Sequence, residues 1–203
     1  MSSINRPHGL TPVQRRDGLP YAGVFRQYAI ASGEANPIGF GDLVSLTANG
    51  TLTRAITATS GTVSTITAAI GVFVGCQYTD PNLKYLLNAN GYVGGIVAND
   101  ILGFVVDDPA ILFEVQADAP LTQTVLGNNI GLIAAAPAGQ GSNLVSRLTV
   151  AAATAAAGAG ATTLPLRIVD FKRGPDSVVG DAFTDVLVAF NMGQHLFTQT
   201  NGI

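Results

Sequence analysis

The chain has 203 residues, of which only 11% are charged, and a formal net charge of −3. That length suits one sizeable core, burying ~70% of the extended-chain surface. The ten basic residues form no dense run, against a basic nucleic-acid groove; a single cysteine, Cys76, excludes a disulfide framework and a cysteine-based zinc site. No apolar run reaches the ~18 residues of a membrane span. With a polar N-terminus, MSSINRPHG, lacking a signal-peptide pattern, this predicts a soluble protein that is not Sec-exported, without nucleic-acid or membrane partners. A surface of Ala, Gly, Thr and Val with so few charges suits contact with other proteins, because solvated charges cost desolvation energy in a tight interface.

Residues 1–27 carry Pro7, Pro12 and Pro20 with Gly9, Gly18 and Gly23, and show no sustained period. They read as an extended N-terminal arm ahead of one domain, 28–203. Leu10, Val13, Leu19, Tyr21, Val24 and Phe25 make the arm too apolar for a solvated linker, so it is expected to lie on a surface, its own or a neighbour's.

From Tyr28 onward the pattern changes to short period-two segments bounded by Gly, Asn, Asp and Pro. In GDLVSLTANGTLTRA (41–55), Val44 and Leu46 alternate with Ser45 and Thr47 before Asn49-Gly50, which predicts a hairpin closed by a type I′ turn. GVFVGCQY (71–78) reads as a strand with Val72, Val74, Cys76 and Tyr78 on one face and Phe73 on the other. LGFVVDD (102–108) and ILFEVQAD (111–118) follow, then LPLRIVDF (164–171) and FTDVLVAF (183–190). Pro120 to Leu126, closed by Gly127, suits one or two helical turns. The Ala/Gly tract 150–163 has no broad apolar stripe and reads as a loop with at most a short helix. The sum predicts an all-β fold with little helix, a β-sandwich or barrel of jelly-roll or tulip-like kind.

Asp107 and Asp108 are the most conspicuous acidic pair. Adjacent strand residues point to opposite faces, and no D-x-D-x-D-G, H-x-H or H-E-x-x-H pattern lies nearby, so turn chemistry before Pro109 is preferred to a metal or catalytic dyad. His8 and His195 are isolated in sequence, there is no G-x-S-x-G elbow, and His195 reads as a surface or interface residue. Cys76 among valines reads as core packing. The glycine clusters at 39–41, 139–141 and 158–160 do not continue as phosphate loops. Arg15-Arg16-Asp17 and Lys172-Arg173-Gly174 read as solvated turns, or as partners for carboxylates across an interface. No catalytic residue, cofactor site or metal site is indicated, and the chain is expected not to be an enzyme.

Three stretches carry a resemblance. YAIASGEANPIGFGDLVSLTANGTLTRA (28–55) followed by AAIGVFVG (68–75) is similar in layout to the head-decoration, or cement, proteins of tailed bacteriophages. VDDPAILFEVQAD (106–118), and TTLPLRIVDF (162–171) with VLVAFNMGQH (186–195), look like stretches of phage virion structural proteins. The resemblance implies a non-enzymatic protein made in the host cytoplasm that binds the outer capsid surface, often as a homotrimer, with the major capsid protein as partner. It implies no catalytic residues. Candidate interface residues are Tyr21, Phe25 and Arg26, with Arg15 and Arg16, and deletion of 1–27 is expected to abolish capsid binding while leaving the β-domain folded. A tail or head-fibre component is the alternative within the same class. A carbohydrate-binding β-sandwich ranks lower, because the chain has no Trp and five Tyr to serve as stacking platforms.

Overall fold

The computed structural model describes residues 4–56, 60–63, 66, 68–158, 161–175 and 177–198. Among the described residues, fifteen strands run in chain order as β1 Thr11–Arg15, β2 Arg26–Ala29, β3 Leu43–Leu46, β4 Leu52–Arg54, β5 Ser60–Val63, β6 Ala69–Thr79, β7 Leu86–Ala89, β8 Leu102–Val106, β9 Ile111–Gln116, β10 Asn129–Ala135, β11 Ala138–Gln140, β12 Asn143–Val145, β13 Thr149–Ala156, β14 Leu166–Phe171 and β15 Asp185–Phe190. The helical content among the described residues is short 3-10 turns such as Gln123–Val125 and Met192–Gln194. The protein is all-β.

Two antiparallel sheets form a sandwich. The first orders its strands β1-β9-β15-β14-β10-β13, with β5 also on β10; the second runs β2-β8-β6-β3-β4, with β7 also on β6. Neither sheet closes into a barrel. Between them lies the larger core, where Phe113, Val115, Val186, Val188, Ile168 and Ile130 of the first sheet meet Leu43, Val72 and Val106 of the second. Phe113 and Phe190 meet edge to face at 5.6 Å between centroids.

The second sheet is buried on its other face too. Val44, Leu52, Phe73, Cys76 and Val105 pack there under Ile30, Ile38, Tyr92 and Ile101 from the connecting segments. Burial on both faces is why β6 reads as an almost continuous apolar run rather than a clean alternation.

Two register shifts in β6, near Gly71 and between Phe73 and Gly75, alter the facing that strict alternation predicts. Val72 and Val74 face the larger core, whereas Ile70, Phe73, Cys76 and Tyr78 face the smaller one. A β-bulge adds a residue to one strand and moves every later side chain to the other face. Gly75 occupies the second shift at φ 147°, and a Cβ on Gly71 would meet the Val106 carbonyl oxygen at 2.3 Å.

The β3–β4 hairpin forms in the expected place but with a different turn. Thr47 N–H donates to the Thr51 carbonyl and Gly50 N–H to that of Thr47, Gly50 has φ 73°, and Asn49 has a negative φ. The loop is therefore three residues long, a type I turn followed by a left-handed glycine. The Ala/Gly tract also departs from expectation: its first half is β13, paired along β10 with Val150 and Ala151 buried. Tertiary pairing overrides the high helix propensity of alanine there.

The arm belongs to both sheets. β1 is the edge strand of the first sheet on β9, and β2 the edge strand of the second on β8. Leu10, just before β1, is fully buried in the larger core.

Candidate interaction surface

The Asp107-Asp108-Pro109 turn is where the chain passes from β8 in the second sheet to β9 in the first. The two carboxylates diverge. Asp107 accepts a 2.6 Å hydrogen bond from the Tyr28 hydroxyl and lies 3.2 Å from Arg26 Nε, both on β2. Asp108 caps its own turn, accepting from Ala110 N–H at 2.8 Å, and its other oxygen lies 3.7 Å from Arg15 at the end of β1. Each aspartate thus secures the edge strand of a different sheet, as the opposed faces of adjacent residues require. Burial and the Asp107 carboxylate together push the Tyr28 hydroxyl up to about 12.

Residues 16–25 connect β1 to β2 beside this turn, and the five candidate interface residues lie on or next to them. Arg15 pairs with Asp17 and Asp108; Arg16 reaches the Phe190 carbonyl at 3.4 Å. Tyr21 packs partly on the larger core and donates to the Val24 carbonyl. Phe25 is 47% exposed and stacks on Phe104 at 4.9 Å, while the Arg26 guanidinium sits 5.5 Å from the centre of the 53% exposed Phe197 ring. Leu19 and Val24 are also exposed. The connector thus presents apolar side chains to solvent around guanidinium groups that internal contacts hold in place.

His195 is not on the surface. It is fully buried, wedged between Phe190 at 5.0 Å and Phe197 at 5.7 Å, because Leu196 N–H bonds Ala69 and pulls the C-terminal segment onto the start of β6. Its Nδ1 accepts from Phe197 N–H, while Nε2 has no hydrogen-bond partner among the described residues. Burial pushes its imidazole below the ordinary histidine range, against the pull of Asp107 and Asp108. The unfolded chain therefore binds the proton first as pH falls, so the stability contributed by neutral His195 is complete above the unfolded value of about 6.5 and is lost as pH drops toward the lower folded value. His195→Phe, which keeps the ring stack, is expected to remove that part of the acid sensitivity, worth ~1.4 kcal/mol per unit of depression, in chemical denaturation followed from about pH 7 to 5. An unchanged pH dependence would count against the assignment.

Cys76 is buried and burial pushes its thiol up to about 12, which leaves it inert as a nucleophile.

Two charged clusters were not legible in the sequence. The first is buried between the β3–β4 hairpin and the segment before β13. Asp42 Oδ2 lies 3.2 Å from Arg54 Nε and accepts from Gly39 N–H, while its Oδ1 accepts from Ser146 Oγ at 2.6 Å; Arg54 also bonds the Ala135 carbonyl. The second lies on the first sheet's outer face. Lys172 Nζ is 2.8 Å from Glu114 Oε1 and 3.7 Å from Asp185 Oδ2, and His8 Nε2 is 3.8 Å from Glu114. Beside it, Gln116 grips the N-terminal segment through Arg6 N–H and the Ile4 carbonyl. Each cluster joins residues far apart in the chain, Asp42 with Ser146 and Glu114 with Lys172, so no spacing rule assembles it. Among the described residues no group of His, Cys, Asp and Glu is arranged to hold a metal ion, and no helix is long and apolar enough to cross a membrane.

Compared with known proteins, the chain matches no family model, no curated protein and no solved structure.

Proposed function

We propose that this protein is a non-enzymatic decoration protein of a phage capsid, docking on the outer shell and reinforcing it where capsomers meet. The observation that carries the reading is the 16–25 connector, which holds Leu19, Val24 and Phe25 exposed beside Arg26 and Phe197 while its two ends are fixed as sheet edges. Aromatic and arginine side chains on a rigid support are the usual anchors of protein interfaces, since little entropy is lost in ordering them. The low charge of the chain suits close packing against neighbours. A ligand that binds only the assembled, expanded shell stabilises that shell, so many modest contacts add up.

The test is co-sedimentation with capsids stripped of the protein, both expanded and unexpanded. Saturable binding to expanded shells with a raised disruption temperature is expected, with the major capsid protein as partner. The Phe25→Ala/Arg26→Ala variant is expected to bind about tenfold or more weakly. Full binding by that variant would remove the connector from the interface. No binding by the native chain would sink the decoration role and direct attention to tail or glycan partners.

A further inference from the structure

We propose that Lys172 and Asp185 form an intramolecular isopeptide bond, with Glu114 as the group that moves the proton. The geometry brings together a primary amine just past the end of β14, a carboxyl on β15 and a separate carboxylate on β9. Lys172, one residue past β14, lies opposite Asp185 at the end of the β14–β15 ladder, where its N–H donates to the Asp185 carbonyl at 3.1 Å. Their side chains share the sheet's outer face, with Nζ 3.7 Å from Oδ2. Glu114, on β9 at the far side of β15, reaches the same Nζ at 2.8 Å. Side chains held on a sheet are positioned within the range from which an intramolecular reaction gains most of its advantage.

The acyl group is prepared by its surroundings. Asp185 is 7% exposed, and its Oδ1 is buried with no hydrogen-bond partner among the described residues. Burial raises its carboxyl above the ordinary aspartate range, favouring the protonated, electrophilic acid. Lys172 is pulled the other way, since the Glu114 hydrogen bond favours its ammonium form. Passing one proton from Lys172 to Asp185 gives a neutral amine and a neutral acid with no change in the charge of the cluster. His8 and Gln116, at its edge, complete the polar groups around it.

The step then balances. The amine nitrogen attacks Asp185 Cγ, and Glu114 takes one amine proton as the C–N bond forms. Glu114 next gives that proton to the departing hydroxyl, and one water leaves. The product is a secondary amide between Nζ and Cγ, with Glu114 again a carboxylate. No oxidant, metal or nucleotide is consumed. The bond closes residues 173–184 into a covalent loop and ties β14 to β15 independently of their ladder.

The test is the intact mass of the denatured full-length protein after prolonged incubation in the folded state. The native chain is expected to fall short of its sequence mass by one water. Trypsin, which needs a free lysine amine, is expected to spare Lys172 and release a branched peptide joining the Lys172 and Asp185 segments. Lys172→Arg and Asp185→Ala are expected to show full mass. Glu114→Gln, isosteric and checked for folding by circular dichroism, is expected to keep full mass or lose water at least tenfold more slowly. A native chain that stays at full mass overturns the proposal. A lost water that maps to a succinimide elsewhere overturns it as well, and a bond that forms at an unchanged rate in Glu114→Gln overturns the role of Glu114.

Discussion

Replacing Asp42 with Ala is expected to cost about 3–5 kcal/mol of folding stability, because Arg54 would then be a buried cation left, among the described residues, with the Ala135 carbonyl. Arg54 is 5% exposed and Asp42 is 0% exposed, so water cannot take the partner's place. Arg54→Met is expected to cost less and to depend on pH in a defined direction. Burial already holds the Asp42 carboxyl above its ordinary value against the opposing pull of Arg54, and removing the cation raises it further. A carboxyl whose folded value exceeds its unfolded one contributes stability below the unfolded value and loses it as pH rises through the folded value. Arg54→Met should therefore be relatively more stable in mild acid than at neutral pH. In the double variant Asp42→Ala/Arg54→Met neither charge is stranded, and its cost should fall short of the summed single costs by about 2–3 kcal/mol. Urea denaturation of all four proteins at two pH values closes the cycle; additive costs would mean that the two side chains do not act as a pair.

The parts of the fold legible in the sequence were those fixed by neighbours in the chain. The β3–β4 hairpin, β6, β8, β9, β14 and β15 lie where period two and turn residues place them. The Asp-Pro turn was legible for the same reason, since one carboxylate caps its own loop. What escaped depended on distant partners. β13 is a strand because β10 lies beside it, although its AAATAAA run has no strand signature of its own. β1 and β2 sit in a proline- and glycine-rich stretch that becomes strand by pairing with edges presented by β9 and β8. The burial of His195 is not legible because a single polar residue gives no sign of the two phenylalanine rings it packs between. The same limit hid both charged clusters: 104 residues separate Asp42 from Ser146, and 58 separate Glu114 from Lys172.

The arm residues being part of the sandwich changes what their removal would do. Deleting 1–27 takes away Leu10 from the core, all of β1 and the first two residues of β2. Leu10→Ala alone is expected to cost about 2–5 kcal/mol, as a fully buried leucine leaves a cavity that its neighbours close only in part. The entry to this position is equally tight. Gly9 has φ 69°, its missing Cβ would lie 2.4 Å from that of Ser146, and Leu10 N–H donates to the Gly41 carbonyl at 2.9 Å. The chain at this point is thus keyed to the residues that flank and bond Asp42. Deletion also leaves β9 and the Phe104–Val105 end of β8 as unpaired edges, which recruit strands from other molecules. Because a domain of this size has only about 5–15 kcal/mol in hand, the 28–203 fragment is expected to unfold or aggregate rather than persist as a binding-deficient domain. Thermal unfolding and size-exclusion chromatography decide it. A fragment that is monomeric and melts within a few degrees of the full chain would mean that the arm is dispensable to the fold. The Phe25→Ala/Arg26→Ala variant should keep its melting temperature to within a few degrees, since both side chains lie largely at the surface. That contrast separates a loss of capsid binding caused by a missing contact from one caused by a missing fold.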